Sequence, residues 1–420
     1  MTPGNDPRFR WMQQRLDDLD DHGLRRRLRP VPASGPLWPG GVDAPHVNFG
    51  SNDYLGLAGQ PLNLPNALPD EADGPDEADA VPGEANAVPG EANGPAPLVQ
   101  RGSGASALVC GYTALHHRLA RQLAELEQTE AAALFPSGYA ACSGCVSALA
   151  GRGDLILSDS LNHASLIDGC RLSKAERFVY PHGDADIVDT LLNHHRHRFR
   201  RAWIVTDSVF SMDGDIAPLD RLAHIARQHD ATLIVDEAHG TGVLGRDGSG
   251  ASEALGVKDQ VPIRIGTLSK ALGSQGGFVV GPQVVIDYLI NHARPLIYST
   301  AAAPATILAA LSALHSVREQ PERRQRVQQL ARRLRRGLAS MGKFTGDLDG
   351  LAAGVPIVPI RLRSTGAAVR AAEQLWQQGF YVPAIRPPTV PEGTSRLRVS
   401  LSAAHSDEQV DRLLAAIKEL

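Results

Sequence analysis

Five short apolar runs rich in β-branched residues recur near positions 155, 203, 233, 263 and 278, with helical stretches between them. Runs of this kind suit strands buried on both faces. Their alternation with helices predicts an α/β fold built on a mostly parallel sheet. In such a sheet, ligands bind at the carboxyl ends of the strands. Two of the runs end in residues equipped for chemistry. ATLIVDEAHGTGVLG, residues 231–245, closes on Asp236, Glu237 and His239 before a pair of glycines. IRIGTLSKALGSQGGFVVG, residues 263–281, turns at Thr267 and Ser269, delivers Lys270, and continues into a glycine-rich segment. A lysine at a strand end among small residues can be desolvated. Desolvation disfavours its ammonium form and frees the amine to attack a carbonyl.

The rest of the chain sets bounds on that chemistry. At 420 residues it can bury a large core and form more than one domain. No apolar run reaches the length of a membrane span, and the N-terminus lacks the apolar core of a signal peptide. Four cysteines give no disulfide framework, which points to a reducing cytoplasm. The net charge of −4 conceals an asymmetry. Segment 60–97 holds eight acidic residues and no Lys or Arg, so the remainder is slightly positive. That bias suits anionic ligands and is too small to suggest nucleic acid.

Segment 60–97 is also rich in Pro, Gly and Ala, and it repeats AVPGEAN at 80–86 and 87–93. It cannot bury enough apolar area to offset its chain entropy, so a disordered surface insert is expected, without a partner of its own. Residues 8–29 read as an amphipathic helix with a basic end at Arg25, Arg26, Arg27 and Arg29, cations that complement a helix dipole. VNFGSNDYLGL, 47–57, centres on Asn52 and Asp53, residues that suit a tight turn. In 101–126, Leu115, Leu119, Leu123 and Leu126 form the buried stripe of a helix. AALFPSGYAACSGCVSALAG, 132–151, reads as strand, turn and helix. Gly138 and Tyr139 sit at the helix start, where free backbone N–H groups favour a phosphate. Cys142 and Cys145 share a face of that helix and read as small core residues, and no properly spaced second pair makes a metal site. His163 follows Asn162 at another helix start, where Asn162 suits a cap. Ser299 and Thr300 suit helix caps as well. The last third, from about 305, contains two long Arg/Leu/Ala helices and a few strands, as expected of a smaller α+β domain.

Asp236 and Lys270 together resemble pyridoxal-phosphate enzymes of the aspartate-aminotransferase-like fold. VDEAHGTGVLG with GTLSKALGSQGG is similar to the α-oxoamine synthases, which condense an amino acid with an acyl thioester and release carbon dioxide. The resemblance runs from about residue 47 to the C-terminus, apart from the insert. It implies a fold-type-I transferase with a large, mostly parallel sheet domain and a smaller α+β C-terminal domain. The expected organisation is an N-terminal helix and extended segment at 1–58, the insert at 59–98, a cofactor-binding domain at 99–304 and the small domain at 305–420.

The same resemblance implies roles. Lys270 holds pyridoxal phosphate and serves as base, Asp236 faces the pyridine nitrogen, and His163 stacks on the ring. Ser211 and His239 lie beside the ring oxygen. Gly138, Tyr139 and Thr267 complete the cofactor site, and Ser299 and Thr300 reach the phosphate of a neighbouring subunit in a homodimer with shared sites. Arg25, Asn52, Arg386, Thr389 and Arg398 face substrate, with Arg398 on a carboxylate. The loop YVPAIRPPTVPEGTSRLRVSLSAAH, 381–405, narrows the resemblance to members that join L-alanine to a pimeloyl thioester of coenzyme A or acyl carrier protein. Glycine-using siblings, a non-catalytic partner subunit of the same fold and an interaction protein acting through the acidic insert are the alternatives. No metal, nucleic acid or membrane is implied.

Overall fold

The computed structural model describes residues 9–26, 28, 35, 37–38, 45–62, 101–362 and 364–420. Nearly all of the repeat-bearing segment, from residue 63, lies outside the described residues, as do Arg27 and Arg29. In chain order the strands are β1 (Leu37–Trp38), β2 (His46–Asn48), β3 (Ala131–Phe135), β4 (Asp154–Asp159), β5 (Glu176–Tyr180), β6 (Arg201–Asp207), β7 (Ala231–Asp236), β8 (Ile263–Thr267), β9 (Gly277–Gly281), β10 (Ile357–Arg361), β11 (Phe380–Tyr381), β12 (Ala384–Ile385) and β13 (Arg396–Ser400). The chain divides into two compact units. One comprises the described parts of Gln60–Ser208 with Pro218–Pro321. The other comprises the described parts of Met1–Gly59 with Val209–Ala217 and Glu322–Leu420.

The larger unit is organised around a seven-stranded sheet of order β3-β9-β8-β7-β6-β4-β5. β5, β4, β6, β7 and β8 run parallel, while β9 is antiparallel to both of its neighbours, β3 and β8. The expected alternation of strand and helix therefore breaks between β8 and β9. They are joined by the turn 268–276, too short for the crossover that a parallel return requires, so the chain reverses on itself. β5 is absent from the five apolar runs for a physical reason. It is an edge strand of sequence ERFVY, mostly exposed, and carries too little apolar surface to read as a buried run.

Small residues let the helix Gly138–Leu149 lie close beneath the sheet. A Cβ on Gly144 would stand 3.1 Å from the Phe135 ring, and one on Gly169 would stand 3.0 Å from Val146 Cβ. Phe135, Cys145, Val146, Ile156, Ile234 and Val279 share the resulting core. Each fully buried aliphatic side chain there contributes roughly 1.5–3 kcal/mol. Behind the β7 carboxyl end, Glu237 is buried but fully engaged. It accepts from the Ser208 hydroxyl at 2.7 Å, from the Ala251 and Ser252 backbone N–H groups, and from the Ser252 hydroxyl. Gly240 and Gly250 make room for it, since a Cβ on either would stand under 2.5 Å from Glu237 Oε2.

In the smaller unit, one sheet has the order β1-β2-β11 and another β10-β13-β12. The helix Pro321–Ser340 buries Val327, Leu330, Leu334 and Leu338 at helical spacing. Its Arg335 is buried too, and the guanidinium donates to the carbonyls of Ala353, Val355 and Ile357. The N-terminal helix spans Arg10–Asp21, shorter than the 8–29 expected, and none of its residues is buried. Gly23, at φ +63°, turns the chain out of the helix. Arg25 and Arg26 therefore lie beyond the last turn, and the expected pairing of these cations with the helix dipole does not form. Among the described residues, no helix is long and apolar enough to cross a membrane.

Candidate active site

The candidate residues divide between the units. In the larger one, β6 and β7 both end in aspartate, and the register sets Asp207 opposite Asp236. Both are buried. Asp236 Oδ1 accepts from the Ala238 backbone N–H at 2.9 Å, and Oδ2 accepts from the Cys142 thiol at 3.1 Å. Asp207 Oδ2 accepts the His163 backbone N–H at 2.7 Å. Burial pushes the Asp207 carboxyl well above the usual carboxylate range. The charge of Asp236 adds to that, while the His163 N–H and Lys270 oppose it. Asp207 was not singled out in the sequence, although the matching ends of the two runs, VTD and IVD, carried the signal.

His163, rather than Asn162, caps the helix Ala164–Leu172: Nδ1 accepts from the Ser165 N–H and lies 2.7 Å from the Ser165 hydroxyl. Asn162 instead ties β4 to β6, bonding the Ser158 hydroxyl, the Val205 carbonyl and the Asp207 N–H. The imidazole is open to solvent on the unit's surface, yet its packed surroundings desolvate it enough to lower its pKa. Asp236 opposes that shift and Lys270 adds to it. Lys270 thus acts electrostatically on both His163 and Asp207.

The turn that carries Lys270 is tightly bonded. Thr267 Oγ1 donates to the Gly276 carbonyl at 2.9 Å and bonds the Ser269 hydroxyl at 2.8 Å. Gly273 N–H donates to the Lys270 carbonyl. Beside it, Ser137 caps the helix Gly138–Leu149 through the Ala140 N–H. A Cβ on Gly138 would stand 3.1 Å from Thr267 Cβ and Oγ1. Tyr139 is half exposed, and its hydroxyl donates to Asp168. His239 is buried. Ser299 and Thr300 do not cap a helix. The following helix, Pro304–Glu319, has Ala303 at its N-cap, and Thr300 bridges to Ser106.

These residues fit pyridoxal phosphate. Gly138 leaves backbone at the start of a 12-residue helix in close approach to the β8 turn, a cradle a side chain would fill. A buried carboxylate suits a protonated ring nitrogen, and a lysine lies within electrostatic reach of both the imidazole and the second aspartate.

In the smaller unit, Arg398 on β13 is buried, and its guanidinium is held on several sides. Nε donates to the Ser211 carbonyl at 2.6 Å. Nη1 donates to Asn52 Oδ1 at 3.0 Å and to the Ser400 hydroxyl at 2.6 Å, and Nη2 lies 3.5 Å from the Tyr54 hydroxyl. Ser211 thus meets Arg398 through its backbone. Asp213, two residues on, pairs with Arg396 and Arg361. Arg25 pairs with Asp20 at 2.5 Å, and its carbonyl accepts from Arg386 at 3.2 Å. It is Arg26 that reaches Thr389, at 2.9 Å. Arg26 and Tyr54 were not singled out for the site, because contacts across more than 300 positions leave no local signature, and Ser400 was passed over although it stands only two residues from Arg398 on the same strand.

This fold and constellation define a class of transferase. The family of aminotransferases of class I and II matches residues 44–417. The serine palmitoyltransferase of S. paucimobilis, solved with a bound PLP–myriocin aldimine, superposes with a TM-score of 0.82 at 27% identity, covering 98% of this chain and 97% of that one. The fold is that of the fold-type-I pyridoxal-phosphate-dependent transferases. Among sequences, the 8-amino-7-oxononanoate synthase of Methylococcus capsulatus is 48% identical over 90% of this chain and 89% of its own length. That of Anaeromyxobacter dehalogenans is 46% identical over 97% of this chain and 94% of its own. The chain belongs to the aminotransferase class I and II family and, within it, to the 8-amino-7-oxononanoate synthases.

Proposed function

We propose that this chain is a pyridoxal-phosphate-dependent acyltransferase of biotin biosynthesis, condensing L-alanine with a pimeloyl thioester to give 8-amino-7-oxononanoate and carbon dioxide. The observation that carries this reading is the cluster at the sheet's carboxyl ends: Asp207 stands opposite Asp236 and accepts the His163 N–H at 2.7 Å, with Lys270 in electrostatic reach of His163 and Asp207. Bound pyridoxal phosphate supplies an electron sink for the charge left on the amino acid's α-carbon. Lys270 would hold the cofactor and would take the α-proton as general base. Asp236 would pair with the ring nitrogen and keep its proton in place. His163 would cover the ring face, while Ser211 and His239 would bond the ring oxygen. Gly138, Tyr139 and Thr267 line the cofactor site, with Ser299 and Thr300 serving the phosphate of the neighbouring subunit in a homodimer.

Arg398 receives the alanine carboxylate. Its bonds to the Ser211 carbonyl, Asn52 and Ser400 hold the guanidinium in place for that carboxylate. Asn52, Arg386, Thr389 and Arg25 complete the substrate contacts, with coenzyme A or acyl carrier protein as the acyl donor. The four unpaired cysteines support a cytoplasmic setting.

The test is the visible spectrum of the purified protein as L-alanine, then glycine, then a pimeloyl thioester is added. A cofactor band that shifts with L-alanine in preference to glycine supports the reading. A response to glycine alone would transfer the chain to a glycine-using sibling activity, and no band with added cofactor would remove the catalytic reading.

A further inference from the structure

Cys142 stands out in the larger unit because its thiol bonds a carboxylate instead of merely filling space. It lies fully inside the core, on the helix Gly138–Leu149, and donates to Asp236 Oδ2 at 3.1 Å. Ser165, close to the thiol, directs its hydroxyl to His163 Nδ1 at 2.7 Å instead, so Asp236 is the partner that takes the thiol hydrogen. The other Asp236 oxygen is taken by the Ala238 backbone N–H. The two oxygens are therefore held from different directions, and the carboxylate cannot rotate without breaking one bond. Burial holds the thiol protonated, well above its ordinary range, so that it remains a donor to the carboxylate.

We propose that Cys142 is a positioning residue for the cofactor: its thiol, with the Ala238 N–H on the other oxygen, fixes the Asp236 carboxylate in the orientation that receives the ring nitrogen. The helix that cradles the cofactor at Gly138 then also sets the anion on which the ring rests. This inference depends on Asp236 being the ring-nitrogen partner, as proposed above. Cys145, one turn further along the same helix, belongs to the hydrophobic core and serves as the internal control.

The experiment measures pyridoxal phosphate affinity of the full-length protein by fluorescence titration of the apo form, with apo-form Tm and the kcat and KM for L-alanine alongside. Cys142→Ala removes the donor. It is expected to weaken cofactor binding about tenfold and to lower kcat with little change in KM, on the scale of one buried hydrogen bond to a charged group. Cys142→Ser keeps a donor and is expected to recover most of the affinity. Cys145→Ala lowers Tm and leaves affinity unchanged. Unchanged affinity in Cys142→Ala, with only Tm reduced, would overturn the proposal, as would a Cys145→Ala loss equal to that of Cys142→Ala. Asp236→Ala separates the two layers. If it binds the cofactor as the wild type does, the placement of Asp236 itself fails. If it loses binding while Cys142→Ala does not, the role of Cys142 alone is rejected.

Discussion

Arg398 Nη1 donates to Asn52 Oδ1 at 3.0 Å, joining β13 to a turn 346 positions earlier in the chain. The bond makes Asn52 a holder of the arginine, so the effect of its loss should appear where Arg398 acts. Asn52→Ala leaves part of a buried guanidinium unpaired, which costs about 1–3 kcal/mol. The expected result is a KM for L-alanine raised about tenfold, with pyridoxal phosphate affinity unchanged. Steady-state kinetics together with cofactor titration check both halves.

Lys270 is half-buried in a turn held by the Thr267 hydroxyl, which bonds the Gly276 carbonyl and the Ser269 hydroxyl, and by the Gly273 N–H on the Lys270 carbonyl. Lys270→Ala should therefore fold normally and retain the β8–β9 turn. Turnover should fall at least about a thousandfold, since both the attachment point and the general base are lost. A product assay with Tm measured in parallel is decisive: activity within tenfold of the wild type would contradict the assignment.

Gly277 opens β9 against the start of the helix Gly138–Leu149. A Cβ there would stand 2.5 Å from the Ser137 carbonyl oxygen and 2.7 Å from Gly138 Cα and N, all of them backbone atoms that cannot swing away. Gly277→Ala is expected to cost about 1–3 kcal/mol in stability and to displace the cofactor cradle. Denaturant unfolding should show the loss, and cofactor affinity should fall with it. Gly102, where nothing among the described residues lies within 4 Å of an added Cβ, should accept alanine with neither effect.

His405 predicts a pH dependence. It is buried, its Nε2 donates to the Asn48 carbonyl at 2.9 Å, and its Nδ1 accepts the Ser402 N–H at 3.0 Å. A proton on Nδ1 would face that donor. Burial lowers the pKa from its ordinary 6.5 to about 4, opposed by the Asn48 carbonyl and aided by Arg326. Between those values the unfolded chain takes up a proton that the folded chain refuses. Stability present above about pH 6.5 is therefore lost as pH falls toward 4, by up to roughly 3 kcal/mol. Calorimetric Tm measured from pH 7 to pH 4.5 should decline less steeply in His405→Gln than in the wild type.

Much of this was legible in the sequence because it is local. The apolar runs marked β4, β6, β7, β8 and β9, and the residues at their ends marked Asp236, His239 and Lys270. Of the expected stripe, Leu119, Leu123 and Leu126 are buried, while Leu115, in the first turn of the helix, is only half-buried. Where local reasoning failed, a competing interaction was out of its view. Asn162 suited a helix cap, but a bond to β6 takes its side chain, and His163 caps instead. Cys142 read as a small core residue, which it is, yet its partner lies 94 positions away.

The sequence by itself determined the period of the sheet, the lysine turn and the strand-end aspartate, because strand pattern and turn chemistry depend on neighbours a few residues apart. The tertiary structure decided which carboxylate oxygen meets Cys142, which side chains grip Arg398, and that β9 runs against β8. Those outcomes depend on which distant residues share one burial site. Inside the fold each buried donor and acceptor must find a partner, and only the folded chain brings the possible partners together.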